Sequence, residues 1–384
     1  MLGNEQVLSG NAEQSTGVEV SKPLSGRVVS IDALRGFDMF WIMGGGRVFI
    51  ALDEKYHNPT TAWIKTQLSH VDWQGFRFED LIMPLFLFIV GVAMPFSFDK
   101  RLSSGQSKAR LYLHIVKRTL MLFVLGMIAQ GNLLEYDLSK LHIYCNTLQA
   151  IAAGYFISSI IILDAKLSRQ VVITTALLLL FWGLMMLVPV PGHGAGQLTK
   201  EGNLAIYIDK LILGRFQDGT TYTWILSSMT FACTVMLGVF GGYILRTKTS
   251  GVRKVALLAV LGAGCLGLAL AWDRWFPIIK HLWTSSFVLF AAGLSYLLLA
   301  GFYLVIDVLR LRRWAFGFVV IGSNAIAAYM AISLFDFRRI GDIFVGGLAK
   351  YVRDWNAFMH AVAGLTVIWL ILFWMYRKRA FLKV

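Results

Sequence analysis

The chain has 384 residues, of which 57% are hydrophobic and only 15% charged, against about 25% charged in soluble domains. Its formal net charge is +14. The apolar content excludes a soluble enzyme, and the lack of any sizeable polar domain to carry the positive charge excludes a nucleic-acid-binding protein.

Residues 1–29 are polar, rich in Ser, Gly and Glu, and lack the apolar core of a cleaved signal peptide. They predict a disordered tail over 1–26, followed by a single transmembrane domain over 27–384. Apolar runs of about 20 residues, the length that crosses a bilayer as a helix, recur from there to the C-terminus. They predict an all-α polytopic membrane protein with about ten transmembrane helices. The expected spans lie near 30–51, 80–98, 111–130, 147–164, 171–190, 223–245, 255–272, 283–306, 315–335 and 355–376.

An even number of spans puts both termini on one side. With the N-terminus inside, the inner segments hold 21 basic and six acidic residues, whereas the outer segments hold 14 of each. That is the positive-inside pattern, so both termini are expected in the cytoplasm and the basic excess faces anionic lipid. The outer segments are neutral and rich in His, Asp, Trp and Asn. Five of the seven histidines fall there: His57, His70, His142, His193 and His281. A site is therefore expected to open outward.

Polar residues in spans are costly unless paired or hydrated, which makes each a functional candidate. The first span begins "SIDALRGFDMFWIMGGG". Asp32, Arg35 and Asp38 are spaced to meet along one helix, either as a structural ion cluster or with Arg35 as a fixed charge lining a polar cavity. The triplet Gly44–Gly46 marks a close helix approach or a broken helix. In "SHVDWQGFRFEDLIMPLFLFIVG", His70 and Trp73 precede the second span, and Asp80 sits in its first turn. There the helix dipole steadies a carboxylate able to fix the His70 tautomer. Asn146 and Gln149 open the fourth span. Lys280, His281, Trp283 and Ser286 gather at the outer end of the eighth. Asn324 lies inside the ninth. An aromatic belt explains the Trp and Lys residues, but the amides need partners at depth. Cys145, Cys233 and Cys265 have neither metal-ligand nor disulfide-framework spacing, and no metal is expected.

The series "SIDALRGFD", "GGG" and H-x-x-W-x-G-x-x-x-x-D-L-x-x-P-x-F-x-F-I-x-G resembles the heparan-α-glucosaminide N-acetyltransferase family and its bacterial relatives. The third motif here is His70, Trp73, Gly75, Asp80, Leu81, Pro84, Phe86, Phe88, Ile89 and Gly91. "NTLQAIA", "LWTSSFVL" and "GSNAIAAYM" are similar to downstream family motifs, and the resemblance covers residues 27–376. It departs at Ile42, where the family has asparagine, and in a longer segment between the glycines and His70.

The resemblance implies an enzyme of the bacterial inner membrane that takes acetyl-CoA as co-substrate from the cytosol. It implies transfer of the acetyl group to the amine of a glucosamine-type sugar, as in heparan sulfate, on the periplasmic side. It also implies His70 as the active-site residue and a homodimer. His70 is then expected as general base, or as the nucleophile of an acetyl-histidine intermediate, with Asp80 orienting it. Arg35, Trp73, Asn146, Gln149, Lys280, His281, Trp283, Ser286 and Asn324 are the expected binding residues. The alternatives are a transporter of amino sugars or cell-wall fragments, and a structural subunit. Transporters often carry internal repeats, which this sequence lacks, and a structural subunit leaves the grouping of His70, Trp73 and Asp80 unexplained.

Overall fold

The computed structural model describes residues 28–382; the tail expected over 1–26 lies outside them. The described residues form helices and connecting loops, with two isolated β-bridges as the only extended pairing. In chain order the helices are α1 (Val29–Phe40), α2 (Gly46–Tyr56), α3 (Pro59–Gln67), α4 (Phe78–Ser103), α5 (Lys108–Ala129) and α6 (Thr147–Asp164). They continue as α7 (Leu167–Leu187), α8 (Leu204–Leu213), α9 (Ser228–Arg246), α10 (Gly251–Trp272) and α11 (Ser285–Tyr303). The last four are α12 (Phe316–Ser323), α13 (Ala325–Leu334), α14 (Phe337–Ala349) and α15 (Asn356–Arg377).

Among the described residues eight helices are long and apolar enough to cross a membrane, and α12 with α13, bent by 74° at Asn324, makes a ninth if the pair is one broken span rather than a re-entrant loop. They coincide, to within about a turn, with the second to tenth expected spans. The first expected span is interrupted. A five-residue π turn, Trp41–Gly45, joins α1 to α2, and Gly44 within it takes φ +101°. Only a residue without a β-carbon adopts that conformation cheaply, so the glycine triplet breaks the helix. Three helices were not expected: α3, α8 and α14. All are short, and all lie in the outer segments.

Burial sorts the bundle into centre and periphery. In α4 and α9, 78% and 72% of the apolar stretch is buried, against 22% in α5, α10 and α15. The outer helices present leucines and valines to lipid, and α4 and α9 form the packed axis. Their contact needs glycine. A β-carbon on Gly91 would stand 1.9 Å from the Val235 carbonyl oxygen, and one on Gly238 would stand 2.0 Å from that of Phe88. Small residues let the two backbones touch, as is usual where dispersion rather than the hydrophobic effect drives helix packing in lipid. The caps are regular: Ser107, Asn146, Asn203, Ser250, Thr284 and Asp336 each accept a backbone N–H in the first turn of the helix that follows.

Candidate active site

The site is built where α4 begins. The loop before it, 68–77, lies on the loop that joins α10 to α11. Gly75 N–H donates to the Ile278 carbonyl at 2.9 Å, and Gln74 pairs antiparallel with Ile279. Gly75 makes this possible with φ +116°. The second loop is itself fixed. Asp273 accepts from Ile278 N–H at 2.7 Å, Thr284 Oγ1 accepts from Ile279 N–H at 3.1 Å, and the buried Trp283 indole donates to Thr234 Oγ1 at 3.0 Å. Two chain segments about 200 residues apart are thereby held side by side, which brings His70 and Asp80 to Lys280 and His281.

Asp80 is the centre of the group. It is 1% exposed, whereas the His70 side chain is 48% exposed. One Asp80 oxygen lies 2.9 Å from His70 Nδ1 and 3.3 Å from Lys280 Nζ. The other accepts from the backbone N–H groups of Val71 and Arg77, at 3.3 and 3.1 Å. A carboxylate has about four acceptor positions, and all four are taken by donors. This satisfies a buried charge that would otherwise be expensive.

The same count sets the histidine tautomer. Asp80 holds a proton on Nδ1. Lys280 Nζ also lies 3.1 Å from Nδ1. An ammonium cannot donate to a nitrogen that already bears a proton, so the Lys280 hydrogen bond goes to Asp80. Nε2 of the neutral ring is then the basic nitrogen, and it points from a half-exposed side chain. Lys280 is only 6% exposed. Burial pushes its ammonium below the ordinary lysine range, and the Asp80 carboxylate pulls it back.

An aromatic wall stands beside this group. The His281 ring stacks on Tyr222 at 4.1 Å with the planes 11° apart, and Trp73 lies at 5.3 Å from the same ring. His281 Nδ1 is 2.6 Å from Thr221 Oγ1. Burial, then the neighbouring Lys280 and His70, push His281 down to about 4. It is therefore a neutral, flat surface at physiological pH. Trp73 is anchored by its indole N–H to the Leu198 carbonyl at 2.9 Å, and Lys200 pairs with Asp72 at 2.8 Å. The segment before α9 is held in turn by Asp209, which accepts from Trp224 N–H at 2.7 Å and Ile225 N–H at 2.9 Å.

Of the residues singled out by sequence, the structure brings together His70, Trp73, Asp80, Lys280 and His281. The others lie elsewhere. Arg35 is on α1 with Asp32, 3.5 Å away; Asp38, one turn on, is wholly buried and its side chain makes no hydrogen bond among the described residues. Asn146 caps α6 and donates to the Gly126 carbonyl at 2.5 Å, and the Gln149 amide clamps the Cys145 N–H and the Ile143 carbonyl. Both amides are occupied by backbone. Trp283 and Ser286 are buried in the bundle, the latter 3.1 Å from Thr284 Oγ1. Asn324 sits at the α12–α13 bend and holds the C-terminal segment through Ala380 and Leu382. Thr221, Tyr222 and Leu198 were not expected, because only tertiary folding of two long outer loops brings them here.

Comparison with known proteins agrees with the motifs. A family profile described as "Domain of unknown function (DUF5009)" matches residues 27–201. The heparan-alpha-glucosaminide N-acetyltransferase of Homo sapiens is 26% identical over 373 residues, covering 81% of this chain and 53% of that protein. The protein of the same name from Mus musculus is 25% identical over 378 residues, covering 82% and 56%. The chain thus spans about half the length of the curated relatives it matches. Those matches, together with the motifs at 30–46 and 70–91, show that the chain is distantly similar to the heparan-α-glucosaminide N-acetyltransferases.

Proposed function

We propose that the protein is a membrane acetyltransferase that moves an acetyl group from acetyl-CoA to the amine of a glucosamine-type sugar on the periplasmic face of a bacterial inner membrane. The observation that carries this reading is the His70–Asp80 pair, 2.9 Å apart, on a half-exposed His70 side chain.

Amide formation from a thioester needs a deprotonated amine, a stabilised oxyanion and held reactants. His70 Nε2 takes the proton from the attacking amine. The lone pair of the amine nitrogen adds to the thioester carbonyl, the C–S bond breaks, and the CoA thiolate leaves with the proton that Nε2 had taken. Asp80 keeps the ring in the right tautomer and offsets the imidazolium formed during the step. Lys280, which shares the Asp80 oxygen with His70, supplies positive potential beside the developing charge. Trp73, Tyr222 and His281 offer flat faces on which a sugar ring packs, as expected of a largely apolar site with a few placed polar groups. Asp80 and Lys280 are positioning residues, and His70 alone is assigned the chemistry.

A second reading has one observation in its favour. Broken helices, such as the π turn at 41–45 and the bend at Asn324, also occur in transporters. Proteoliposomes separate the two. With acetyl-CoA on the face of the basic loops and glucosamine on the other, an acetyltransferase yields N-acetylglucosamine. Movement of unmodified glucosamine across the membrane, with no acetylated product, would instead identify a transporter.

A further inference from the structure

A second polar site lies away from His70 and shares no residue with it. The break at Gly44 leaves a gap between α2, the α13–α14 turn and α15. It is a cavity of 790 Å³ whose wall includes Arg47, Glu54, Asp336, Arg338 and His360, and it continues into a 480 Å³ cavity that shares Glu54, Arg338 and His360. Arg47, Glu54, Asp336 and Arg338 are exposed and open onto this space, where they meet water or a ligand.

The charges there are unevenly matched. Asp336 is committed to the start of α14, where it accepts from the backbone N–H groups of Arg338 and Arg339 at 3.1 and 3.2 Å. Asp342 is hydrogen-bonded to His360 Nδ1. Glu54 faces the cavity, and Asp354 lies in its outer extension. Arg47 and Arg338 make no side-chain hydrogen bond or ion pair among the described residues. Two guanidiniums on the wall of one cavity therefore keep donors available for a ligand. Guanidinium forks match the two oxygens of a carboxylate or phosphate, in strong charge-assisted pairs. The carboxylates of Glu54 and of the His360–Asp342 pair are acceptors, which suits hydroxyl groups on the same ligand.

We propose that this cavity is a second binding site, selective for a hydroxylated oxyanion such as a sugar carboxylate or sugar phosphate, with Arg47 and Arg338 gripping the anion. The site is independent of acetyl transfer, because binding there involves none of the residues assigned to the chemistry.

Calorimetry on the purified full-length protein in detergent tests it, with glucuronate, glucose 6-phosphate and neutral glucose as probes. At least one anionic probe is expected to bind ten times or more tighter than glucose. Glucuronate alone would indicate a carboxylate ligand, and glucose 6-phosphate alone a phosphate one. Arg47→Gln and Arg338→Gln should each weaken that binding at least tenfold, and His70→Ala should leave it unchanged. If either Gln variant fails to elute as a folded protein, Arg47→Lys and Arg338→Lys replace them. These keep the charge and lose the fork, and should weaken binding at least threefold. No preference for anions over glucose, or unaltered binding in folded Arg variants, would overturn the proposal, and so would loss of binding in His70→Ala.

Discussion

Asp80 is the residue on which the site's electrostatics depend. Its four donors include one buried ammonium, so removing the carboxylate leaves Lys280 without an anion. Asp80→Asn is expected to cost about 3–5 kcal/mol of stability, the scale for breaking one side of a buried pair. It should also lower transfer activity at least about 100-fold, since the His70 tautomer is no longer fixed. Lys280→Met should cost less stability, because Asp80 keeps three of its donors. Denaturation and turnover measured on both variants check this order, and a larger loss for Lys280→Met would contradict it. His281 gives a pH signature. Its native pKa of about 4 lies below the ordinary histidine value, so between about pH 6.5 and 4 the unfolded chain binds a proton that the folded one does not. Stability should therefore fall as the pH drops through that window and be unaffected by His281 above it. His281→Gln should flatten this part of a melting-temperature profile. At this scale sequence was only partly informative. His70, Asp80 and Trp73 were legible because they share one local motif. Lys280 and His281 were suggested by outer position. Tyr222 and Thr221 carried no local signal, since their nearness to His281 is set by loop packing. Asn146, Gln149 and Asn324 were read as site residues because a buried amide needs partners, but a backbone partner meets that need as well as a substrate does.

At the scale of elements, hydropathy located the eight long apolar helices and the bent α12–α13 pair because lipid demands such helices, and composition alone reports that demand. It could not show α3, α8 or α14, which are short and lie in the outer segments. It also could not choose between the two meanings of the glycine triplet, close approach or broken helix; the structure shows the break, at Gly44. An alanine there forces a β-carbon into φ +101°, at a cost of about 1–2 kcal/mol. The α4–α9 axis is less forgiving, because a built β-carbon on Gly238 meets backbone rather than a movable side chain. Gly238→Val should cost more than Gly44→Ala and lower the melting temperature further. The opposite order, measured in detergent, would mean that α4 and α9 do not pack as closely as described.

For the whole molecule, α4 begins at the His70 rim and carries Lys100 and Arg101 in its last turn, so the site and this basic loop lie at opposite ends of one long helix. Ser69, beside the site, is exposed, as is Lys248 between α9 and α10. With the basic face cytoplasmic, Ser69→Cys in intact cells should react with a membrane-impermeant maleimide, whereas Lys248→Cys should react only after lysis. The native Cys233 and Cys265 are buried, and the half-buried Cys145 is replaced by Ser in both variants to remove background labelling. Labelling of Lys248→Cys in intact cells would invert the topology and move the site to the cytoplasm.

Acetyl transfer dependent on His70 is the most direct consequence of the site's geometry. Purified protein would be incubated with radiolabelled acetyl-CoA and glucosamine, beside a His70→Ala variant shown to be folded. Labelled N-acetylglucosamine from the wild type, with turnover reduced at least about 100-fold in the variant, is the predicted result. Equal product from both proteins, or none from the wild type across a panel of amino sugars, would contradict it.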